Sequence, residues 1–274
     1  MENNAGRNIL IMGIANITGD SFFAGSRMLG TDGSLAVGVF RRRVEQMLEE
    51  GADILDLGAC STRPGSDPVS EEEEWDRLEP ALRIVTREYP DVGISIDTFR
   101  PGIVRRAFDL AGRFTVNDIS GGCDGMWRLL GELKLPYVAM HMRGTPATMS
   151  SLTDYPEGVT SAVREFFEGI RAKADAFGVG EWILDPGFGF AKTVGQNWQL
   201  LREMSVFQEF GRPVLAGLSR KSFLYKPLGI TPEEALPATR TANFIALLNG
   251  ADILRVHDVK DARETVSLYR LYMG

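Results

Sequence analysis

Gly13-Ile14-Ala15-Asn16-Ile17-Thr18-Gly19-Asp20-Ser21-Phe22 is the stretch on which the fold turns. It follows the apolar run Ile9-Leu10-Ile11-Met12, which reads as a buried first strand. A doubly wound open sheet usually carries a GxGxxG dinucleotide turn after its first strand. This stretch has no such spacing. Working outward, strand-like runs fall at 9–15, 53–58, 93–97, 114–118, 136–141, 182–185, 213–217 and 252–256. Helical spacing fills 34–50, 70–88, 101–111, 124–133, 157–177, 195–208, 232–249 and 259–272. Eight strands alternating with eight helices over 274 residues predict an α/β fold, a (β/α)8 TIM barrel. No linker or composition break interrupts the pattern, so residues 1–274 read as one domain.

Local punctuation agrees. Ser70 followed by Glu71, Glu72 and Glu73 predicts a helix N-cap with a capping-box glutamate. Thr231-Pro232-Glu233-Glu234 predicts a second cap, with Pro at the first helical position. Gly51 and Gly250 each end a helical pattern, and each opens the same pentapeptide, Gly-Ala-Asp-Ile-Leu. That repetition fits a repeated βα unit.

Composition narrows the function classes. The apolar fraction is 44%, ordinary for a packed core, and the formal charge of −7 argues against non-specific nucleic-acid binding. Residues 1–8 lack a signal-peptide pattern, and no apolar run approaches the ~20 residues that span a bilayer. Cys60 and Cys123 form neither a disulfide framework nor a CxxC pair and read as inert small residues. The expectation is a cytoplasmic protein with no membrane or nucleic-acid partner.

In a barrel of this kind the C-terminal strand ends converge on one mouth. Taken in order, those ends deliver Asn16, Thr18, Asp20 and Phe22; then Ser61-Thr62-Arg63-Pro64-Gly65; then Asp97; then Asn117. The later strands deliver His141 and Met142; Asp185 through Phe190; Ser219 through Ser222; and Arg255 with His257. A sheltered carboxylate needs donors. Asp97 and Asp185 therefore suit a ligand edge with paired N–H groups, as guanine-like or pterin-like rings offer, with Asn117 adding a donor and an acceptor. The plainer alternative makes both acids caps or internal ion-pair partners. Arg63, Lys221, Arg255 and His257 form a cationic set on strands two, seven and eight, suited to phosphate. The alternative is ordinary rim salt bridges. Gly187 and Gly189 around Phe188 and Phe190 suggest a loop in unusual backbone angles presenting an aromatic wall, or else a tight turn with core phenylalanines. No HxH or other zinc-spaced pair is present, which disfavours a metal-dependent hydrolase.

Eight blocks then acquire a common meaning: IMGIANITGDSF, GADILDLGACSTRPG, SIDTFRP, VNDISGG, MHMRGTP, ILDPGFGFAKT, GLSRKSF and ILRVHDV. Together they resemble the dihydropteroate synthase family over nearly the whole chain, from Ile11 to about Val266. The resemblance implies a (β/α)8 barrel and a transferase. A dihydropterin hydroxymethyl diphosphate would lose pyrophosphate, and the amine of 4-aminobenzoate would capture the methylene carbon, a step of folate biosynthesis. By matching position, Asp97, Asn117, Asp185 and Lys221 would grip the pterin, with Arg255 along its plane. Asp97, Lys221 and Arg255 would form the catalytic group. Asn16 would help hold Mg²⁺ on the diphosphate, with Thr62, Arg63, Arg255 and His257 on the anion. Phe22, Thr62, Pro64, Phe190 and Ser219 would shape the 4-aminobenzoate site. The family commonly forms homodimers through late helices, and Phe244, Leu247 and Leu248 suggest a candidate face.

Departures from the family pattern are local. Gly19 stands where a Pro is usual, Ala24 where an Asp is usual, and Ala59-Cys60 where Gly-Glu usually precedes Ser61. Arg27, three residues after Ala24, is a candidate to compensate. The changes cluster where aminobenzoate and sulfonamides bind, which raises an expectation of reduced sulfonamide sensitivity. Against it, residues 185–192 carry no insertion of the kind associated with insensitive members. The rival readings are a pterin-binding methyltransferase domain and a catalytically silent paralogue. A methyltransferase has no need of Ser61-Thr62-Arg63-Pro64-Gly65 or Ser219-Arg220-Lys221-Ser222, both of which are present.

Overall fold

Short apolar strands joined by amphipathic helices bury both faces only in a covered parallel sheet. The computed structural model, which describes residues 7–18, 28–30, 33–60 and 69–274, has that arrangement. The strands are β1 (Leu10–Asn16), β2 (Ile54–Gly58), β3 (Gly93–Asp97), β4 (Thr115–Asp118), β5 (Tyr137–Met140), β6 (Trp182–Asp185), β7 (Leu215–Ala216) and β8 (Ile253–Val256). All their pairings are parallel, in the order β6-β5-β4-β3-β2-β1-β8-β7. A parallel bridge between Leu184 and Val214, with Leu184 N donating to Pro213 O at 2.9 Å, brings the two ends together. The result is the (β/α)8 barrel.

The helices between strands are α1 (Val37–Glu49), α2 (Glu71–Glu88), α3 (Pro101–Ala111), α4 (Asp124–Leu133), α5 (Val159–Phe177), α6 (Val194–Glu203), α7 (Ser222–Tyr225), α8 (Leu236–Leu248) and α9 (Val259–Met273). Their apolar stripes meet the outward-facing strand residues, such as Leu55, Leu57, Ile96 and Val116, in one large core. A separate small core contains Met12, Val138, Leu215 and Ile253, with Leu10, Ile54 and Ile183 against it. These residues face inward and plug the lower barrel. Side chains on a strand repeat every second residue. The next inward positions above the plug therefore include Asp56, Asp185 and Arg255, and Ser95 and Asn117 reach the same layer through Asp56. The register places Asn16 beside Gly58, Gly58 beside Asp97, and Asp97 beside Asn117 in one row.

Several boundaries differ from the sequence expectation. Ser70 caps α2 as expected: its Oγ accepts from Glu73 N at 3.2 Å, and Glu73 Oε2 accepts from Ser70 N at 2.9 Å. Thr231 does not cap a continuous helix. A 3-10 turn at Glu233–Ala235 comes first, and α8 starts at Leu236 with Pro237 in its first turn. The expected helix at 195–208 ends at Glu203 and tightens into a 3-10 stretch, Met204–Phe210. The proposed dimer face also changes: Leu247 is fully buried and Phe244 packs against Tyr269 and Tyr272, leaving Leu248, Leu268, Leu271 and Tyr272 exposed. No helix among the described residues is long and apolar enough to cross a membrane.

Replacing Ser70 with Ala removes one member of the capping box, so urea denaturation is expected to show a loss of ~1 kcal/mol. An unchanged midpoint would contradict the assigned role.

Candidate active site

The site starts from a charge that the strand buries completely. Asp56 sits in the middle of β2 with no exposed surface. Its neighbours in sequence, Leu55 and Leu57, face the outer core, so period-2 alternation points Asp56 into the barrel. An ionised carboxylate there requires several donors. Ser95 Oγ donates to Asp56 Oδ1 at 2.6 Å, and Asn117 Nδ2 lies 3.3 Å from both carboxylate oxygens. From the far side of the barrel, Arg255 Nε donates to Asp56 Oδ2 at 2.7 Å. Arg255 Nη2 reaches Asp97 Oδ2 at 2.6 Å and also lies 2.6 Å from Asp56 Oδ2. One guanidinium thus joins β2, β3 and β8.

Burial pushes the Asp97 carboxyl upward, and the Arg255 charge opposes that shift. Asp185 is 6% exposed, and burial raises its pKa against the hydrogen bond from Gly187 N to Oδ1 at 2.8 Å. Lys221 faces it, with Nζ 4.2 Å from the centre of the Phe190 ring. Burial pushes this ammonium down to about 8, with Asp185 resisting. Gly189 makes room for the approach: a Cβ there would come within 3.1 Å of Lys221 Cδ, and its φ of +81° disfavours any side chain.

Asp97, Asn117, Asp185, Phe190, Lys221 and Arg255 line one cavity at the C-terminal mouth. Asn16 borders it, since a Cβ on Gly58 would lie 3.2 Å from Asn16 Oδ1 and 3.4 Å from Asp97 Cβ. Ser219 and His257 form a neighbouring pair, with His257 Nδ1 3.0 Å from Ser219 Oγ and His257 N donating to the same oxygen at 3.2 Å. Burial, then the charge on Arg255, drives His257 down to about 3, so it presents a neutral ring. Phe22, Thr62, Arg63 and Pro64 lie outside the described residues, as do Gly19, Asp20, Ala24, Arg27 and Ser61. Cys60 is half-buried, and burial raises its thiol pKa, which suits an inert residue. Cys123 is exposed at the start of α4.

The two readings of the 187–190 loop are both realised. Phe188 is a core residue at 1% exposure, stacked on Phe223, whereas Phe190 faces Lys221. The two readings of Asp97 also combine: it is an internal ion-pair partner and a cavity wall at once. His141, though at a strand end, turns outward against Phe166 on α5.

Asp56 is the main residue that strand-end reasoning misses, because it lies two residues before the end of β2. A lone acid inside Ile54-Leu55-Asp56-Leu57 is nevertheless a signal, since a buried charge demands a partner. Arg220 is a second omission. It occupies a left-handed conformation, φ +53°, unusual for a non-glycine residue. Its Nε and Nη2 grip Asp258 at 2.9 Å, and Nη1 donates to the carbonyls of Pro232 and Glu233 at 2.8 and 2.7 Å. That anchor turns Arg220 away from the cavity that Lys221, the next residue, lines.

Removing one member of a buried ion cluster strands the rest. Asp56→Ala is expected to cost about 3–5 kcal/mol in urea denaturation, because it leaves Arg255 short of an acceptor. A loss below ~1 kcal/mol would show that Asp56 and Arg255 do not depend on one another in this way.

Comparison with known proteins places the whole arrangement. A family model described as "Pterin binding enzyme" matches residues 12–257. The dihydropteroate synthase of Escherichia coli K12 is 38% identical over 259 residues, covering 93% of this chain and 89% of that protein. Among solved structures, a Yersinia pestis dihydropteroate synthase in complex with a sulfonamide drug superposes with a TM-score of 0.89 at 32% identity, covering 98% of this chain and 95% of that one. The Thermus thermophilus dihydropteroate synthase bound to 4-aminobenzoate gives 0.84 at 34% identity, covering 97% and 95%.

Proposed function

This chain belongs to the dihydropteroate synthase family of pterin-binding enzymes, and on that premise we propose that it condenses a dihydropterin hydroxymethyl diphosphate with 4-aminobenzoate. The products are dihydropteroate and pyrophosphate. The observation that carries this reading is the convergence of Asp97, Asn117, Asp185, Lys221 and Arg255 on one cavity. A flat ring with adjacent N–H donors fits carboxylate acceptors, and a ring carbonyl fits the Lys221 ammonium. A methyltransferase domain would share the acids but gives no reason for the Ser219–His257 pair or for Lys221.

In the first step the bond from methylene carbon to phosphate oxygen breaks and its electron pair leaves with the diphosphate. The methylene cation is conjugated to the pterin ring. The neutral aromatic amine then attacks that carbon and releases a proton to solvent, so no strong protein base is needed. Arg255 places a permanent positive charge beside the ring, and His257 and Ser219 offer hydrogen-bonding groups to the departing anion. Phe190 supplies an apolar wall for the benzoate ring and helps exclude water that would otherwise capture the cation. Thr62, Arg63, Pro64 and Phe22 belong to the same scheme by family position.

We assign Mg²⁺ to the diphosphate rather than to a protein cage. Among the described residues no group of three His, Cys, Asp or Glu side chains is placed to hold a metal. Asn16 at the end of β1 offers one neutral amide oxygen, and that sparse set suits an ion held mainly by phosphate oxygens and water. Bound there, Mg²⁺ would neutralise charge on the leaving group. We also propose a cytoplasmic homodimer. Cys60 and Cys123 are not disulfide-bonded, which fits a reducing compartment, and the exposed Leu268, Leu271 and Tyr272 on α9 extend the candidate face. The altered residues Gly19, Ala24 and Cys60 favour reduced sulfonamide sensitivity. Rescue of a synthase-deficient strain at ordinary drug levels would support that, and failure of rescue only when drug is present would end it.

The direct test is pyrophosphate release from the two substrates. Asp185→Ala and Lys221→Ala are each expected to lower turnover about 10²-fold or more; an active Asp185→Ala enzyme would discredit the pterin assignment. The pH profile follows from the shifts. On the acid side, the raised Asp97 and Asp185 take up protons and stop accepting from the ring, so kcat/KM for the pterin falls. Above about 8, Lys221 loses its proton and kcat/KM falls again. A profile still rising through pH 9 would contradict the assigned role of Lys221.

A further inference from the structure

Behind the cavity wall lies a buried lysine that the reaction scheme does not use. Lys192 is 8% exposed. Its side chain folds back under the loop that precedes it, and Nζ donates to Gly187 O at 2.9 Å and Phe190 O at 3.0 Å. Nζ also lies 3.0 Å from His141 Nδ1. A longer contact runs from Nζ to His141 O at 3.4 Å, so the three N–H donors of the ammonium form all find acceptors; burial lowers the pKa of that ammonium to about 7, with Asp185 resisting. The pairing makes His141 Nδ1 the acceptor, so the ring carries its proton on Nε2. His141 fits that role: burial and then the charge on Lys192 push it down to about 2, keeping it neutral.

The loop above takes strained backbone angles. Gly187, Gly189 and Ala191 all have positive φ, at +68°, +81° and +50°. Ala191 has a Cβ, so its left-handed geometry costs energy that the surroundings must offset. Two further side chains reach in from outside: Tyr155 Oη donates to Ala191 O at 3.0 Å, and Asn197 Oδ1 accepts from Gly189 N at 2.6 Å. Phe190 N donates to Gly187 O at 3.2 Å within the turn, and the Lys192 side chain binds the carbonyls at both of its ends and ties them to His141, the residue after β5. The space beneath is closed as well, since a Cβ on Gly187 would fall 1.9 Å from His141 O and 3.4 Å from Lys192 Nζ.

We propose that Lys192 is a positioning residue: its buried Nζ fixes the 187–190 turn and so sets where the Phe190 ring stands against the second substrate. Asp185 ends β6, with its carbonyl accepting from His141 N at 2.9 Å, and meets the turn through Oδ1, which accepts from Gly187 N at 2.8 Å; its backbone is set by the strand, whereas that of Phe190 is set by the turn. The effect therefore falls on the benzoate side of the site more than on the pterin side. The kinetic half of this statement rests on the synthase reading; the loop half does not.

The test compares the wild-type full chain with Lys192→Met, which keeps the length of the side chain and removes its donors. Hydrogen exchange by mass spectrometry reports the loop, and steady-state kinetics report the site. Amides of residues 187–190 are expected to exchange about tenfold faster or more, while peptides from β1 to β4 stay unchanged. KM for 4-aminobenzoate is expected to rise about tenfold, with Kd for the pterin moving less than about threefold. Lys192→Gln, with a neutral donor, should fall between. Unchanged loop exchange, or an equal loss on both substrates, overturns the proposal. Global unfolding of both variants also overturns it, since that would make Lys192 a support of the whole barrel rather than of one turn. If the wild-type protein releases no pyrophosphate, the synthase reading fails, and the exchange comparison still decides the loop half.

Discussion

A guanidinium locked between two carboxylates inside a barrel is the constraint on which the rest depends. Arg255 enters from β8 and joins Asp56 of β2 to Asp97 of β3. Desolvating three charges is expensive, and their mutual attraction returns that cost only with good geometry and additional hydrogen bonds. Ser95 and Asn117 supply those bonds on Asp56. The cluster sets two carboxylates against one guanidinium, and one of its acids and its cation form part of the cavity wall. A polar ligand entering the mouth meets groups whose positions are already fixed, and little reorganisation remains to be done at the moment of reaction.

The barrel makes this possible through its layering. The apolar plug of Met12, Val138, Leu215 and Ile253 closes the lower end, so the polar layer above it has water on one side only. Burial then shifts both kinds of charge toward neutrality, with Asp185 moved up and Lys221 moved down to about 8. The two therefore sit nearer one another in proton affinity than free side chains would. Loops complete the arrangement by strain held in place: Arg220 in a left-handed turn anchored on Asp258, and the 187–191 turn anchored on Lys192, Tyr155 and Asn197.

Much of this was legible in the sequence because strand alternation and strand ends carry strong signals. Asp97, Asn117, Asp185, Lys221 and Arg255 end or follow apolar runs, and a barrel gives such positions one destination. Ser70 with Glu73 announced its cap by residue type alone. What stayed hidden was pairing across the barrel. Arg255 and Asp56 are 199 residues apart in sequence, and nothing local says that a strand-end cation will turn inward to meet a mid-strand acid. Arg255 claims part of Asp97, and Asp56 part of Asn117, and no local pattern names these partners. Thr231 misled for a different reason: a cap motif predicts where a helix begins, but Pro232 and Pro237 close together favour a 3-10 turn first.

The central claim is that a flat heterocycle with paired N–H donors lies against Asp97, Asn117 and Asp185. Calorimetric titration of the hydroxymethyl dihydropterin into the wild-type protein and into Asn117→Ala tests it most directly. The account predicts one site per chain, with affinity weakened about tenfold or more when the Asn117 amide is removed. No heat with the wild-type protein, or equal affinity for both, would contradict it.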